Sequence, residues 1–405
     1  MNAPGPASAP PPPAEPEPGD RPGPLPGGGR ATSLRAGVVA EQLFGPVPGG
    51  IGRYVGALAR HLPAVAAAAD PGGSIRWITG RHPPERLAAA GLDPSATTTL
   101  ALPGRLATRA WVSLRRPRLP GRLVAELDLV HATSAAVPPA TGHALVATVH
   151  DLGFRHHPET YPAAGRRFHE RATRIVVAEA ARVLVPSAAT GFDLTDLYGL
   201  EPSRVAVTAL GVDLPEPDPA PARLLLAELG VRGPFLLAVG TLEPRKNLRR
   251  LLAAFAASAQ ELPDHHLVVA GPVGWGPALR PTYESVRVKL AGPVDDVTLH
   301  GLYDAADGLA YPSLYEGFGL PVLEAMAHGT PVLTSDRSSL PEVAGDAALL
   351  VDPDDEDAIA AGLVRLVGDQ ALRARLAAAG RRRAARYTWP ATAAATWAAY
   401  QEALA

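Results

Sequence analysis

Apolar positions along the chain follow two patterns that alternate. Short runs rich in Val, Leu, Ile and Ala, typical of strands buried on both faces, are separated by longer stretches whose apolar residues recur at helical spacing. The pattern predicts strands or helices over 34–40, 51–62, 75–79, 84–90, 127–131, 144–149, 166–180, 181–185, 188–198 and 205–208. It predicts further elements over 235–239, 248–255, 267–270, 286–290, 299–306, 308–311, 331–334, 348–351, 356–367 and 370–386. Such alternation favours an α/β fold whose parallel sheets carry helices on both faces.

Stretches crowded with proline and glycine divide the chain. Residues 1–33 cannot bury a core, and we expect a disordered tail there. A second proline-dense stretch over 211–221 disfavours helix and strand and predicts a hinge. We therefore place a first domain over 34–211, a linker over 212–233, a second domain over 234–387 and a terminal helix over 388–405. With 405 residues, 47% of them hydrophobic, the chain can bury two cores.

Composition excludes several classes of function. The net charge of -2 gives no global field that would attract nucleic acid, and the absence of cysteine excludes disulfides, thiolate metal sites and cysteine nucleophiles. There is no apolar run of about 18 residues and no charged-then-apolar leader, so we expect neither a membrane span nor a secretion signal. These features favour a cytoplasmic protein.

A glycine-rich loop near the end of the second domain joins a strand to a short helix. Pro321 suits the first turn of that helix and Gly329 ends it, so we place Glu324 in the first turn, close to Glu316. Glycines in the loop let backbone N–H groups approach a ligand, and the free N–H groups at the helix start favour an anion. Two carboxylates beside an anion make sense if the anion is a phosphate whose attached sugars donate from hydroxyl groups. The alternative is a strand-turn-helix corner with two solvated glutamates.

Two adjacent basic residues lie where a predicted strand of the second domain ends. Arg245 and Lys246 follow the strand over 235–239, and ligands bind at such strand ends in open parallel sheets. Two fixed cations can neutralise a diphosphate and stabilise the charge that grows as it leaves. Lys246 is conspicuous, because Lys289 is the only other lysine among the 38 basic residues.

A histidine occupies a similar position in the first domain. His150 and Asp151 follow the strand over 144–149, which makes His150 a better candidate for ligand binding than an isolated histidine. His156 and His157 lack such support, and these histidines have no regular zinc-ligand spacing. We therefore expect no metal site.

The first domain opens with a strand, a glycine loop and a helix, as a Rossmann-like unit does. Gly49 and Gly50 lie in this loop, ahead of apolar residues at helical spacing. The glycines do not follow the Gly-x-Gly-x-x-Gly spacing, so a dinucleotide fingerprint and an oxidoreductase are not supported. By itself the loop is equally well explained as a tight turn that needs glycine for packing.

The glycine-rich loop resembles a known signature. Its two glutamates, separated by seven residues within EGFGLPVLEAMAHGTPV, resemble the pattern of retaining GT-B glycosyltransferases of family 4, also called glycosyl transferases group 1. The segment from Gly240 to Asn247 is similar to a second segment of these enzymes, and the likeness covers nearly everything from Leu34 onward. It implies two Rossmann-like domains with parallel sheets that face each other across a cleft. The first domain would hold the acceptor, the second would bind the nucleotide sugar, and the terminal helix would cross back to the first.

The resemblance also implies roles for single residues. The catalytic residues would be His150, Glu316, Arg245 and Lys246. The donor-binding residues would be Gly49, Gly50, Arg245, Lys246, Gly317, Phe318, Gly319, Leu320 and Glu324. Glu324 would bind the ribose hydroxyls and the two cations would bind the diphosphate. Glu316, helped by the N–H groups of Gly317, Phe318 and Gly319, would bind the hydroxyls of the transferred sugar, which His150 would face from the other side.

The family implies transfer of a hexose from a nucleoside-diphosphate sugar to a glycan or lipid-linked acceptor. Configuration would be retained through front-side attack, and we expect no metal ion or other cofactor because the protein supplies the positive charge. The stretch from His150 to Glu159 is similar to mannosyl-transferring members, which makes GDP-mannose the first donor to test. An alternative mechanism forms a covalent intermediate through Glu316, but no second acid-base carboxylate stands out. The alternative functions are a GT-B epimerase or phosphorylase and a non-catalytic sugar-nucleotide-binding protein.

Two charged segments have other interpretations. Residues 103–123 carry six arginines with Trp111 and no acidic residue, so this stretch could dock on anionic lipid at the inner face of the membrane or on an acidic acceptor. A solvated arginine face in an arginine-rich chain explains it equally well. Asp352, Asp354 and Asp355 form an acidic cluster that we interpret as a turn or helix cap and not as a metal site.

Overall fold

Two parallel sheets organise the part of the chain that the computed structural model describes, residues 33–45, 49–139, 142–216, 218–275 and 287–405. The first sheet contains β1 (Arg35–Val39), β2 (Ser74–Thr79), β3 (Thr97–Thr99), β4 (Leu129–Ala132), β5 (Ala144–Thr148), β6 (Arg182–Val185) and β7 (Val205–Val207). Their order is β3-β2-β1-β4-β5-β6-β7, and each pairing is parallel. The predicted tail lies outside the described residues, apart from Ser33.

Helices cover this first sheet, and together they form what we call the first lobe. The helices are α1 (Gly49–Ala69), α2 (Pro84–Ala89), α3 (Gly104–Leu114), α4 (Gly121–Ala125), α5 (Gly153–His156), α6 (Ala163–Glu179) and α7 (Ala188–Tyr198). The central strand β4 is buried along its whole length, as its apolar sequence predicts for a strand covered on both faces. The edge strand β3 consists of three threonines and carries no apolar signal, and it was not predicted.

The second lobe repeats the arrangement. Its sheet contains β8 (Phe235–Val239), β9 (His266–Ala270), β10 (Val288–Gly292), β11 (Gly308–Tyr311), β12 (Val332–Ser335) and β13 (Ala348–Val351), in the order β10-β9-β8-β11-β12-β13. Its helices are α8 (Ala220–Glu228), α9 (Leu248–Ala257), α10 (Asp296–Ala305), α11 (Leu320–His328), α12 (Leu340–Ala344), α13 (Glu356–Gly368) and α14 (Gln370–Ala384). Two parallel sheets with helices between their strands confirm the predicted α/β class.

The predicted linker contains a helix that its proline content did not lead us to expect. Helix α8 starts at Ala220, and Pro221 lies in its first turn, where the missing N–H costs nothing. The helix packs on α10 so closely that a Cβ added to Gly301 would lie 2.8 Å from the Cβ of Ala222. Part of the stretch from 212 to 233 is therefore built into the second lobe.

The last helix, α15 (Trp389–Glu402), packs against α1 of the first lobe. Trp397 and Tyr400 on this helix are completely buried, and they belong to one hydrophobic cluster with Tyr54 of α1. The same cluster includes Phe318 and Leu320, which lie in the glycine-rich loop and at the start of α11. The two lobes therefore share apolar packing at the place where that loop meets the first lobe.

Candidate active site

The carboxyl ends of two neighbouring strands bring the predicted cations and Glu316 together. Strand β8 leads into a single helical turn, Pro244–Lys246, and β11 leads into the glycine-rich loop. Because β8 and β11 are adjacent in the sheet, residues five to seven positions beyond the strands meet at one edge. The Leu314 N–H donates to the Arg245 carbonyl at 2.9 Å, which fixes the two loops to each other.

Three side chains donate hydrogen bonds to Glu316, and Arg245 forms an ion pair with it. Lys246 Nζ lies 2.6 Å from Oε1 and Arg245 lies 3.0 Å from Oε2. The hydroxyls of Ser313 and Tyr311 donate to Oε1 at 2.6 and 2.9 Å. Neither hydroxyl was predicted as part of the site, since a serine and a tyrosine near a strand end carry no distinctive sequence signal.

Burial and neighbouring charges shift the pKa values of this cluster in opposite directions. Burial alone would raise the pKa of Glu316, but the nearby Arg245 and Lys246 charges lower it to about 2. Burial lowers the pKa of Lys246 and the Glu316 carboxylate partly offsets this, while the acidic neighbours of Arg245 keep its pKa well above the ordinary value. Arg245 also donates to Glu243 at 2.7 Å. The cluster thus places an ionised carboxylate between two basic side chains.

Glu324 belongs to a different network, and the prediction that it lies in the first turn of its helix is wrong. Helix α11 begins at Leu320, so Glu324 is its fifth residue, and its buried side chain occupies the next turn. Tyr303 donates to its Oε2 at 2.9 Å, and Arg53 from α1 of the first lobe pairs with its Oε1. Arg53 also reaches Asp296 at 2.8 Å. Arg53 was not among the predicted residues.

His150 faces the glycine-rich loop from the first lobe. Its Nε2 lies 2.8 Å from the carbonyl of Thr133, so the ring carries its hydrogen on Nε2 and leaves Nδ1 as an acceptor. Burial lowers the pKa of His150, which keeps the ring neutral. The backbone of Gly317 presses on that of His150 so tightly that a Cβ at position 317 would overlap the His150 carbonyl oxygen. The structure therefore brings His150, Glu316, Arg245 and Lys246 into one region.

The remaining predicted donor residues surround the start of α11. Gly319 precedes the helix with φ of +104°, and the Phe318 side chain is buried against Tyr387 with ring centroids 5.7 Å apart. Gly49 and Gly50 are the first two residues of α1, so the prediction that they lie in the loop before this helix is wrong. A Cβ on Gly50 would lie 3.4 Å from Leu320 Cδ1, so the start of α1 touches the start of α11. Gly49 has φ of +58°, which favours glycine. Residues 46–48 of that loop lie outside the described residues.

Structural partners account for His156, His157 and the acidic cluster. His156 pairs with Asp193 at 3.0 Å and stacks on Tyr315, and His157 pairs with the exposed Glu159 at 3.2 Å. As predicted, the acidic cluster forms a turn and a cap, because Asp352 accepts from the N–H of Asp354 and Asp355 accepts from the N–H of Ala358. In the described part of the chain, no group of three or more His, Cys, Asp or Glu residues could hold a metal ion.

The basic stretch over 103–123 forms α3 and α4 with mostly exposed arginines. Trp111 is not on their exposed face: it is 2% exposed and its ring N–H donates to the Pro117 carbonyl at 2.9 Å. Arg115 pairs with Glu179 and donates to the Val137 carbonyl at 2.8 Å. None of the helices within the described ranges has the length and apolarity that a membrane span requires.

Comparison with known proteins decides the family. The family model described as glycosyltransferase family 4 matches residues 48–216, and that described as glycosyl transferases group 1 matches residues 228–383. The D-inositol 3-phosphate glycosyltransferase of Salinispora tropica is 31% identical over an alignment 430 positions long, which covers 96% of this chain and 88% of the relative. The chain is a member of glycosyltransferase family 4.

Other relatives of this family 4 glycosyltransferase transfer mannose, by their names. The O-antigen chain mannosyltransferase B of Escherichia coli is 35% identical over 255 residues, 60% of this chain and 66% of the relative. The MMP alpha-(1->4)-mannosyltransferase of Mycolicibacterium hassiacum is 32% identical over 315 residues, 72% of this chain and 75% of the relative. The chain thus spans just under two thirds of the length of the first and three quarters of the second.

Solved structures establish the fold of this family 4 glycosyltransferase. Sucrose-phosphate synthase from Thermosynechococcus elongatus matches with a TM-score of 0.67 and 23% identity over 91% of this chain and 98% of its own. HepE of Anabaena, solved with UDP-glucose, matches with a TM-score of 0.66 and 19% identity over 91% and 98%. WaaG, a glycosyltransferase of lipopolysaccharide biosynthesis, matches with a TM-score of 0.63 and 21% identity over 89% and 98%. The two sheets therefore form the GT-B fold.

Proposed function

We propose that this protein transfers a hexose, with retention of configuration and without a metal ion, from a nucleoside-diphosphate sugar to a glycan or lipid-linked acceptor. The observation that carries the proposal is the cluster of Arg245, Lys246 and Glu316 at the carboxyl ends of β8 and β11. In this cluster the buried Glu316 carboxylate pairs with two cations, and an anionic ligand can replace it as their partner.

Binding of the donor is an exchange of partners in this scheme. The diphosphate pairs with Arg245 and Lys246, and Glu316 then accepts hydrogen bonds from hydroxyls of the sugar in place of the cations. The cations carry positive charge in the ligand-free chain, so their stabilisation of the leaving diphosphate is preorganised. Glu324, the fifth residue of α11, accepts from the ribose hydroxyls of the nucleotide sugar.

The surroundings of Glu316 favour front-side attack over a covalent intermediate. A carboxylate whose pKa is lowered to about 2, and which accepts from three side chains and pairs with Arg245, is a weak nucleophile. His150 faces the loop in a neutral state with Nδ1 as an acceptor, so it can hold a sugar hydroxyl but has no charge to offer. The departing phosphate then receives the acceptor's proton.

The names of the relatives suggest which substrates to test first. Two of them are mannosyltransferases, which supports GDP-mannose as donor, whereas the UDP-glucose complex of HepE supports keeping uridine donors in the panel. The relative aligned over 96% of this chain is named for D-inositol 3-phosphate, so a phosphorylated polyol is a second candidate acceptor.

We also propose that the exposed face of α3 and α4 binds an anionic membrane surface, where a lipid-linked acceptor would be located. Leu106 and Leu114 are 54% and 70% exposed and lie beside exposed arginines of the same segment. Basic side chains near an anionic bilayer contribute about 1 kcal/mol each. Cosedimentation should increase with the anionic lipid content of the vesicles and fall when Arg105 and Arg109 are changed to glutamate; equal binding to neutral vesicles would exclude this role.

A thermal-shift panel followed by a transfer assay tests the enzymatic proposal. A ligand that binds the folded state at 100 times its Kd adds about 2.7 kcal/mol of stability, so the matching nucleoside diphosphate and its sugar conjugate should raise Tm. Transfer to an oligosaccharide, a lipid-linked acceptor or an inositol phosphate is then followed with that donor in EDTA, and NMR of the product gives the anomeric configuration. An inverted product, or loss of activity in EDTA, would contradict the proposal.

A further inference from the structure

Two polar side chains of the first lobe lie near Arg245 and have no task in the proposed mechanism. Asp151 lies just beyond β5, and its Oδ1 accepts from the Gly153 N–H at 3.0 Å. Tyr161 lies between α5 and α6. A Cβ added to Gly153 would lie 2.7 Å from the Tyr161 hydroxyl oxygen and 3.1 Å from Cδ of Arg245. The tyrosine hydroxyl and the arginine therefore lie against the same point of α5.

Aromatic rings extend this surface on both sides of Tyr161. His169 of α6 is edge-on to Tyr161, with ring centroids 6.4 Å apart, and stacks on Phe154 at 5.7 Å. Trp275 of the second lobe lies 6.0 Å from Tyr161 between centroids, and its ring N–H donates to the Thr160 carbonyl at 2.6 Å. Tyr161 is partly buried, whereas His169 and Trp275 are exposed. These three residues form an open aromatic wall to which both lobes contribute.

The polar atoms beside this aromatic wall are available to a ligand. Within the described part of the chain, neither the Tyr161 hydroxyl nor a ring nitrogen of His169 makes a hydrogen bond, and Oδ2 of Asp151 makes none. A hydroxyl and a neutral imidazole can each donate and accept, whereas a carboxylate accepts. Sites for small molecules combine aromatic walls with a few such polar groups. This combination suits a sugar, which has apolar ring faces and many hydroxyls.

The charges at the aromatic wall disfavour a phosphorylated ligand. Burial raises the pKa of Tyr161 and the Asp151 charge raises it further, so the phenol keeps its proton. Burial lowers the pKa of His169 and the Asp151 charge offsets this only in part, so the imidazole is neutral at pH 7. Arg245 is already paired with Glu316 at 3.0 Å. Asp151 can accept from hydroxyls of a ligand, but it repels a phosphate.

We propose that Asp151, Tyr161 and His169 bind the acceptor, and that this acceptor is the neutral sugar end of a glycan and not a phosphorylated polyol. The proposal rests on the proposed function, because it names the substrate class of the same reaction. Front-side attack requires the acceptor hydroxyl to approach on the side of the departing diphosphate. Tyr161 lies beside Arg245, which is assigned to that diphosphate, so a sugar on the aromatic wall is close to the leaving group.

Steady-state transfer to neutral glycans and to D-inositol 3-phosphate, with the donor that the thermal-shift panel selects, tests the proposal. Tyr161→Phe and His169→Phe keep an aromatic ring and should each raise the KM for the glycan about three- to tenfold, while the KM for the donor stays at the wild-type value. Asp151→Asn removes the charge and should increase transfer to inositol 3-phosphate relative to the glycan at least about threefold. Tyr198→Phe is the matched control, because its hydroxyl bonds to Glu170.

The outcomes separate this proposal from the proposed function. A wild-type chain that glycosylates none of these acceptors overturns both. Transfer to inositol 3-phosphate in preference to every neutral glycan overturns the present proposal alone. An unchanged glycan KM in both Tyr161→Phe and His169→Phe also overturns it, as does an equal rise in the KM values for glycan and donor. A rise confined to the glycan, together with the shift toward inositol 3-phosphate in Asp151→Asn, supports it.

Discussion

Replacing Glu316 by glutamine removes the negative charge from the cation cluster while conserving its shape. The two cations then remain buried without their carboxylate, and removing one partner of a buried ion pair costs about 3–5 kcal/mol. The pKa gives a similar magnitude, because lowering it from 4.5 to about 2 corresponds to about 3 kcal/mol of stabilisation of the ionised form. We expect Glu316→Gln to lower the free energy of unfolding at pH 7 by about 3 kcal/mol.

The same reasoning predicts how this difference depends on pH. A depressed carboxyl pKa contributes stability that is fully present above the unfolded-state value of 4.5 and is lost as pH falls toward 2. The gap between wild type and Glu316→Gln should therefore shrink from about 3 kcal/mol at pH 7 to about 2 kcal/mol at pH 3.5. Urea unfolding at both pH values, followed by circular dichroism, measures the gap.

A ligand experiment on the same variant connects stability to function. With position 316 neutral, Lys246 loses its paired carboxylate and Arg245 keeps only Glu243, so a nucleoside diphosphate should raise the Tm of the variant more than that of the wild type, whereas transfer should be lost. Glu159→Gln is the control: its side chain is 66% exposed, and the change should alter stability by less than about 0.5 kcal/mol. Wild-type stability together with full turnover in Glu316→Gln would refute the assignment of Glu316.

Three further predictions concern the rest of the site. Lys246→Ala should abolish the Tm shift caused by a nucleoside diphosphate, whereas the control Lys289→Ala should leave that shift intact. An unchanged shift in Lys246→Ala would show that Lys246 is not part of the donor site. Gly317→Ala introduces a methyl group that overlaps the backbone of His150, so urea unfolding should show a loss of at least about 2 kcal/mol and the transfer assay a loss of activity; wild-type behaviour would contradict the observed loop packing. Because burial lowers the pKa of His150 from its ordinary value of 6.5, kcat should remain level as pH falls through 6.5, and a drop centred there would indicate a solvated histidine.

The sequence predicted the parts of this molecule that depend on local pattern. Apolar runs located both sheets, and the positions of Arg245 and Lys246 after β8 and of Glu316 after β11 followed from the rule that parallel strands present ligands at their carboxyl ends. Because β8 and β11 are neighbours, the cations and the carboxylate had to meet.

The sequence pattern did not predict the contacts between distant segments. Arg53 reaches Glu324 across 271 positions, and nothing in the local pattern around either residue indicates the other. Ser187 caps α7 through the N–H of Thr190, and nothing in its local sequence indicates that its hydroxyl also donates to the Gly317 carbonyl. The position of Glu324 was misjudged because Leu320, one residue before Pro321, already begins the helix, and a small error in a helix boundary moves a side chain by a large part of a turn.

The most direct test of the account is a crystal structure of this chain with an intact nucleoside-diphosphate sugar bound. The account predicts that the diphosphate oxygens lie within hydrogen-bond distance of Arg245 and Lys246. Glu316 should have left the cations and should accept from hydroxyls of the sugar. A donor bound in another part of the molecule, or a diphosphate in the cleft that leaves the pairing of Glu316 with both cations unbroken, would contradict the account.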